Sequence, residues 1–526
     1  LELLEGHPLA MQIALPLLKQ LPASALVEEL RREIDQLSGA AEEEGRDRYL
    51  TALMELSFAR MPRRSRVHLP FLALFQRRVM MDILTHISQE RVYRTVMGEE
   101  LGWGACRTLL RSARDAGFLE AISPSVYQIH PAFPWLYGRK LRRQVPAPGL
   151  RQLESELVRV YVDTADYFME TLAENQDTAV TGVLAEEGNL TQVLALALEE
   201  KQWDNAQLLV QPLAQVFRMQ KRYAELGRLR QELLRSVGLT APEAEASGAI
   251  ELWLYLMGTD ASDAGDRLDL TRAEALNRQL LEYLSSRPDG ATDPRTAAVY
   301  HQLGVIALHR RRLEEAEEWF LRSLGIIERG EDRAMVADDY YSLGQVKQYQ
   351  RRYTEAREWL TKAVEIHQRL QDAEELVKDY RSLGLVTQLK LEYQEAESWY
   401  QQARSILEEN RDEETAILVY HELGTVNHAQ YLFEEAERWY QQALTLSDRL
   451  GKESQMAVEF HHLGLLAQTR GLLYEDAEEW YLAALEKREK LGDRRGAGDE
   501  CRQLALLFHE QKRLDEAAQW YHRARE

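Results

Sequence analysis

The chain has 526 residues and a formal net charge of −21, which argues against a general nucleic-acid-binding protein. Hydrophobic residues make up 45% of it, enough for a packed core, and Gly and Pro are too few for a disordered or collagen-like chain. The two cysteines, Cys106 and Cys501, lie far apart in sequence. A disulfide framework is therefore excluded, and a cysteine zinc site is not expected.

The longest apolar run, residues 8–18, is too short for a transmembrane helix and contains Gln12. Glu2 and Glu5 stand where a signal peptide would carry basic residues. Together with the few cysteines, these features predict a cytoplasmic protein without a membrane partner. The chain begins at Leu1 in a stretch that resembles the middle of a helix, so we expect that the parent protein is longer.

Charge and composition divide the chain into segments. Residues 1–150 carry a net charge of +3 and the remainder carries −24, which indicates at least two structural units. Pro and Gly cluster at residues 146–149, 241–248 and 285–294. We therefore expect four segments in chain order: residues 1–45, 46–145, 150–290 and 296–526.

The front of the chain shows helical spacing of apolar residues, as at 50–60 and 108–117. The residues Val126–Ile129 are the one place where we expect a strand or a hairpin. A helix-rich segment that ends in a hairpin predicts a winged-helix domain at residues 46–145, preceded by a small helical segment.

A basic stretch within this winged-helix segment contains Arg60, Arg63, Arg64, Arg66, Arg77 and Arg78. One interpretation is a contact with DNA, and the other is a regulatory hinge that meets acidic parts of the protein. We favour the hinge, so DNA is not an expected partner. Further along, residues 187–234 and 249–286 have the spacing of divergent helix pairs, which we assign to residues 150–290.

The strongest pattern is an internal repeat of 40 or 41 residues over 296–526. A small residue, here called the anchor, recurs in each unit: Gly304, Gly344, Gly384, Gly424, Gly464 and Ala505. A tryptophan follows each anchor after 15 or 16 residues: Trp319, Trp359, Trp399, Trp439, Trp480 and Trp520. The pattern in each unit predicts two amphipathic helices that form a hairpin and cross closely at the anchor. We expect the aromatic residues to fill the groove between one helical hairpin and the next. One hairpin cannot bury its apolar face alone, so the units must stack.

This pattern resembles the tetratricopeptide repeat in its longer variant. The resemblance implies an all-α fold in which six repeats form a right-handed superhelix whose first helices line a concave groove. Residues three before and four after the anchors share one face of the first helices and are mostly polar. They form our candidate partner-binding groove: His301, Tyr341, Gln348, Arg381, Gln388, His421, His428, His461, Gln468, Arg502 and His509. The alternative is a solvated groove without a ligand.

Short motifs in the front half resemble a second family, the STAND NTPases, the class of the NB-ARC and NACHT proteins and of bacterial regulators with repeat sensors. The residues Gly6–Ala10 match its "GxPLA" turn, His130-Pro131 stand at the end of its winged helix, and Glu186–Leu190 match an "EExNL" helix that opens its repeats. In that family, the proline of the turn packs on adenine and the histidine contacts the β-phosphate of bound ADP.

The resemblance therefore implies that Pro8 and His130 contact ADP in the intact parent protein. Many relatives carry Asp where this chain has Pro131, which weakens the assignment of His130. The alternative is that Pro8 only begins a helix and that His130 is an ordinary turn histidine. The chain has no GxxxxGK[ST] loop, so we expect no cofactor and no ATP hydrolysis in this chain, with ADP or ATP bound by a core of the parent.

Enzyme motifs are missing from the sequence: it contains neither HExxH nor GxSxG. The histidines of the repeat helices have no cysteine or carboxylate at the sequence spacing of a metal site or a catalytic pair. We therefore interpret them as residues that line the groove without close carboxylate partners, and we expect neither a metal site nor catalysis. We interpret the chain as the regulatory and sensor part of a STAND-type signalling NTPase. It would bind a protein or peptide trigger in the groove, contact the parent's nucleotide-binding and effector domains, and oligomerise on activation. The alternative is a free-standing tetratricopeptide-repeat scaffold.

Overall fold

The computed structural model describes residues 8–37, 45–328, 330, 332–471 and 474–525. The chain forms two compact units, which meet in sequence between Met257 and Gly258. Helices dominate both, as the sequence predicts. Among the described residues, no helix combines the length and apolar character that crossing a bilayer requires.

The first unit begins with short helices and a small sheet. The elements in this part are α1 (Pro8–Leu18), α2 (Ala23–Leu37), α3 (Gly45–Ala59), α4 (Arg63–His68), β1 (Arg78–Met80), α5 (Met81–Gln89), α6 (Arg91–Met97), α7 (Trp103–Asp115), β2 (Leu119–Ala121), β3 (Val126–Ile129) and α8 (Phe133–Gln144). A 3₁₀ segment, Leu69–Leu74, precedes β1. The predicted hairpin is present as β2 and β3.

The sheet has the order β1-β3-β2, with both pairings antiparallel. Val79 in β1 faces Tyr127 in β3, and Leu119 in β2 faces Ile129. These four side chains are buried, so the inner face of the sheet closes the core of this part. The strand β1 was not predicted, because three residues show no alternation and the partner strand lies far along the chain.

Long helices complete the first unit: α9 (Ala147–Glu174), α10 (Gln176–Glu199), α11 (Trp203–Met219), α12 (Tyr223–Val237) and α13 (Ala241–Ser247). The next helix, α14 (Ile250–Asp266), contains the boundary between the units. The helices α9, α10 and α11 pack on one another through buried aliphatic and aromatic side chains such as Leu157, Tyr161 and Val193.

The second unit continues as paired helices: α15 (Leu270–Ser286), α16 (Pro294–His309), α17 (Leu313–Ile327), α18 (Arg333–Tyr349), α19 (Tyr353–Leu370), α20 (Ala373–Leu389), α21 (Tyr393–Asn410), α22 (Glu413–Ala429), α23 (Phe433–Arg449), α24 (Glu453–Arg470), α25 (Tyr474–Lys490), α26 (Arg494–Glu510) and α27 (Leu514–Arg523). From α16 onward the pairs coincide with the six predicted repeats, numbered 1 to 6 below. An aspartate caps the first helix in most repeats, as Asp372 does by accepting a hydrogen bond from the Glu375 amide.

The anchors lie where the two helices of a hairpin cross. A Cβ atom on Gly384 would lie 2.5 Å from Cε1 of the buried Tyr400 in the second helix. The tryptophan of the same hairpin, Trp399, stacks on Tyr380 with ring centroids 5.7 Å apart. The predicted register is therefore correct, but these stacked aromatic pairs lie within a hairpin, and our expectation that they fill the groove between hairpins was wrong in that respect.

Replacing Gly384 by Ala should destabilise the repeat array, because the added methyl group collides with the ring of Tyr400 and overpacking costs about 1–3 kcal/mol. The matched control is Gly325→Ala, also in a helix interior, where no atom lies within 4 Å of the added Cβ. This control should stabilise the array slightly, since Ala favours helices. Thermal unfolding measures both, and equal midpoints for the two variants would show that the crossing is looser than described.

Candidate functional site

The first helices of the repeats form the inner side of the stack. They contact each other directly between neighbouring repeats, as α16 does with α18, α18 with α20, and α22 with α24. In a curved array of hairpins, neighbouring hairpins are closest together on the concave side. Helices that contact each other across successive hairpins therefore lie on that side. The predicted groove residues therefore lie on the helices that line this face.

A cation–carboxylate contact, here called a joint pair, crosses each of the five junctions between successive repeats. The five joint pairs, in chain order, are His301–Asp339, His367–Asp379, Arg381–Glu422, His421–Glu459 and His461–Glu500. The histidine Nδ1 atoms lie 2.7–3.1 Å from the carboxylate oxygens. Three of the predicted groove histidines thus have close carboxylate partners, which contradicts our expectation that they have none.

The carboxylates of four joint pairs are almost fully buried, whereas the histidines of three are partly exposed. These acids occupy one position, five residues before the anchor: Asp339, Asp379, Glu459 and Glu500. In repeat 4 that position holds Val419, so Arg381 pairs with Glu422 instead, through Nε and Nη2 at 2.7–3.2 Å. A buried acid without a cation would be costly, so each joint pair couples the positions of two neighbouring hairpins.

The joint pairs change the protonation of their members. Burial alone would lower the pKa of His367, but the hydrogen bond and the charge of Asp379 outweigh it and raise the pKa. Burial raises the pKa of the Asp379 carboxyl, against the effect of His367. Burial likewise raises the pKa of Glu459, and the hydrogen bond from His421 opposes this shift.

Histidine rings cluster at the joints of repeats 4, 5 and 6. The ring of His462 lies 4.5 Å from that of His421, 5.2 Å from that of His461 and 5.4 Å from the ring of Tyr440. Burial, with smaller contributions from the charges of His421 and His461, lowers the pKa of His462 to about 2. His462 is therefore neutral at physiological pH.

The other predicted groove residues are half-buried or exposed on the same helices. The hydroxyl of Tyr341 accepts hydrogen bonds from Gln345 at 2.8 Å and from Ser382 at 3.3 Å. Gln388 and Gln468 each accept a hydrogen bond from a tyrosine of their own hairpin, at 3.1 and 2.9 Å. The remaining four lie as follows: Gln348 is half-buried on α18, His428 is half-buried with its ring 6.2 Å from that of Phe433, Arg502 is exposed and pairs with Asp499 at 2.7 Å, and His509 is exposed on α26.

Exposed apolar side chains on the same helices were missed by the sequence analysis. They belong to the centre of the array: Tyr349 on α18, Leu385 and Leu389 on α20, and Leu418 on α22, each about two-fifths exposed. We had chosen polar positions and had treated apolar ones as packing positions. The sequence did contain a signal for them. Leu385 and Leu389 follow Arg381 at steps of four residues, so all three lie on the same face of the helix.

In the first unit, the "EExNL" residues attach α10 to the small sheet. Oδ1 of Asn189 accepts a hydrogen bond from the Gln76 amide at 2.6 Å, and its Nδ2 donates to the Arg78 carbonyl at 3.0 Å. The fully buried Glu186 holds this amide in place, because its Oε2 accepts from Asn189 Nδ2 and from the Tyr161 hydroxyl, both at 2.7 Å. We call this group the Asn189 clamp. Burial raises the pKa of Glu186, against the effect of these hydrogen bonds.

His130 follows β3 and borders a cavity of about 640 Å³. Other polar residues of its lining are Gln12, Lys19, Arg114, Glu120 and Gln128. Nδ1 of His130 accepts a hydrogen bond from the Ala132 amide at 3.2 Å, so in the neutral ring Nε2 carries the proton. Pro8 begins α1, but its side chain lies outside the described residues. Among the described residues, no group of three or more His, Cys, Asp or Glu is placed to hold a metal ion.

Part of the predicted basic stretch is engaged with acids. Arg64 binds both oxygens of Glu99 at 2.9 Å, and Arg60 binds Glu29. Glu99 also meets Nε2 of the buried His68 at 3.1 Å. These two arginines therefore contribute less free positive charge than the sequence indicates.

Paired helices joined in this way define an α-solenoid repeat protein. The chain contains tetratricopeptide repeats: the model of that repeat matches residues 295–369 and 374–449. Such repeats are protein-interaction modules rather than catalytic ones.

Two of the solved structures that are similar to this chain are the following. The protein is similar in fold to a signal transduction ATPase with numerous domains (STAND) with a tetratricopeptide repeat sensor from Pyrococcus horikoshii, at 15% identity and a TM-score of 0.64. That alignment covers 99% of this chain and 68% of the other. A Rap protein complexed with competence and sporulation factor matches at 16% identity and a TM-score of 0.42, over 70% of this chain and 97% of the other. A comparison with curated proteins finds no match.

The His367–Asp379 joint should make stability depend on pH. The pKa of His367 is raised in the folded protein, so its contribution is complete below the unfolded value of about 6.5 and is lost as the pH rises through the folded pKa. The difference in melting temperature between wild type and His367→Gln should therefore shrink as the pH rises above about 6.5. His309→Gln, at an exposed position, is the control. A difference that stays constant or grows with pH would contradict the ion pair.

Proposed function

We propose that this chain is the regulatory and sensor part of a STAND-type signalling NTPase. The observation that carries the proposal is the similarity in fold to the Pyrococcus horikoshii STAND protein, which extends over 99% of this chain. A fold alone does not define a function. The "GxPLA", winged-helix and "EExNL" residues, which occur here in the order of that family, add support.

In this proposal, residues 46–145 are a winged-helix domain that faces nucleotide. Three helices, α5 to α7, followed by the hairpin of β2 and β3 have the order of elements that such a domain requires. A proton on Nε2 of His130 would let the ring donate a hydrogen bond to a phosphate oxygen. Lys19 and Arg114, which line the same cavity, would favour an anion there.

The repeats would be the sensor, with a protein or peptide trigger bound along the first helices. Supporting this, the exposed Leu385, Leu389 and Leu418 provide apolar contact area at the centre of the array, next to Arg381 and Tyr341. Arginine and tyrosine are residue types over-represented among those that dominate binding energy. Because the joint pairs lie on the same helices, a trigger that displaces one of them would change how two hairpins pack.

The Asn189 clamp would then connect the sensor to the domain that faces nucleotide. It links the helix that opens the repeats to the backbone of β1, the first strand of the winged-helix sheet. A movement of α10 would therefore reach β1 directly. The free-standing scaffold remains the alternative, and the tetratricopeptide-repeat match alone would favour it equally.

The proposal predicts a P-loop in the parent protein and a locking role for His130. The codons upstream of Leu1 should encode GxxxxGK[ST] within a few hundred residues. In that parent, His130→Ala should raise nucleotide exchange and basal ATPase activity at least about tenfold without trigger, since loss of a charge-assisted hydrogen bond costs about 1.5–3 kcal/mol. The control is His86→Ala, at an exposed position of α5. An open reading frame without a P-loop, or an unchanged basal rate, would contradict the proposal.

A further inference from the structure

The turn between the two helices of each repeat ends in one residue with a left-handed backbone. These turn residues are Arg311, Arg351, Leu391, Tyr431, Gly471 and Lys512, with φ between 59° and 76°. Glycine, as at Gly471, adopts this conformation freely, whereas other residues lose about 1 kcal/mol. The side chains at the other turns are thus retained at some cost in stability.

In repeats 1 to 4 the turn residues change from cationic to apolar along the array. Leu391 is 71% exposed and Tyr431 is 74% exposed, the two highest values among the large apolar side chains of the described residues. Tyr349 and Leu389, two residues before their turns, add further exposed apolar area. We call the four turn residues Arg311, Arg351, Leu391 and Tyr431, with Tyr349 and Leu389, the turn strip.

The two arginines of the turn strip have no carboxylate partner among the described residues. Arg311 lies over the ring of Tyr349, 4.1 Å from its centroid, and Arg351 projects into solvent. Arginines beside them are all paired with acids: Arg310 with Glu274, Arg312 with Glu274 and Glu315, and Arg352 with Glu355. In a chain with 86 acidic side chains, two unpaired arginines next to an exposed apolar area are available to an external acid.

We propose that the turn strip is a docking surface for an extended protein segment that carries acidic side chains at one end and apolar side chains at the other. Neighbouring hairpins stack about 9–10 Å apart, so the four turns span about 30 Å, the length of about nine extended residues. The acidic end pairs with Arg311 and Arg351, and the apolar end covers Leu391 and Tyr431. A nucleic acid or an anionic membrane would require cations along the whole strip, and half of it is apolar. The strip shares Tyr349 and Leu389 with the first-helix face, but its four turn residues lie beyond the ends of those helices, and the proposal does not depend on the proposed function.

Synthetic nonapeptides test the strip directly with the whole chain. The probes are fluorescein-labelled Asp-Glu-Asp-Glu-Gly-Leu-Ile-Leu-Phe and the same sequence reversed, because the direction of the segment is open. One of them should raise fluorescence anisotropy with saturable binding at low salt. Affinity should fall as salt increases, because the acidic half contributes through exposed charges. A peptide in which acidic and apolar residues alternate should bind at least tenfold more weakly.

Substitutions at the turns identify the residues that the peptide contacts. Arg351→Glu and Leu391→Asn should each weaken the better peptide at least tenfold, and Asn keeps the left-handed turn. The matched control is Lys512→Glu, at the same turn position in repeat 6, which should leave binding unchanged. Arg381→Ala, on the first-helix face, reports whether the peptide binds in the groove. Melting temperatures of all four variants verify that the fold is intact.

Other outcomes would overturn the proposal. Neither peptide binding at 1 mM, or Lys512→Glu acting as strongly as Arg351→Glu, would remove the strip as a specific surface. Loss of binding in Arg381→Ala but not in Leu391→Asn would place the peptide in the groove instead. Concentration-dependent dimers in sedimentation that Tyr431→Asn abolishes would assign the apolar turns to a second copy of this chain.

Discussion

No hairpin in the repeat region can bury its own apolar face, and the structure depends on this constraint. A glycine anchor against a large side chain closes the hairpins of repeats 1 to 5 internally, as with Gly384 and Tyr400, which leaves their outer faces to the neighbouring repeats. Stability is therefore shared between adjacent repeats. The same constraint keeps the inner first helices close together and so creates a continuous face from side chains that lie about 40 residues apart in sequence.

The joint pairs add a polar contact to this apolar stacking. The acids of the four histidine joints lie on the buried side of the first helices, where an unpaired carboxylate would lower the stability of the fold. Each of these acids pairs with a histidine of the preceding repeat. Four joints use histidine, and the central one uses Arg381. Residues that we assigned to a ligand thus hold repeats together, and a groove ligand would compete with contacts that already exist.

Regular local features could be predicted from the sequence. The helix pairs, the anchors and the Trp399 register follow from periodicity, because the same residue types recur at one spacing. The strand β1 and the His367–Asp379 pair could not be predicted, since they depend on pairing between segments that local patterns do not link. A signal for the joints was present in Asp339, Asp379, Glu459 and Glu500, four acids at one otherwise apolar position. Similarly, "EExNL" was recognised as a motif, but the contact of Asn189 with Gln76 appears only in the fold.

The Asn189 clamp couples the helix α10 to the small sheet. The most direct measurement is amide hydrogen exchange of Gln76 and β1 in the whole chain, because the Gln76 N–H donates to Asn189. With Asn189→Leu, exchange at Gln76 should accelerate at least tenfold and spread into β1, while the second unit stays protected. Thr191→Ala, whose hydroxyl bonds only within α10, should change nothing. If Gln76 and β1 stay as protected in Asn189→Leu as in wild type, the clamp does not couple the two elements.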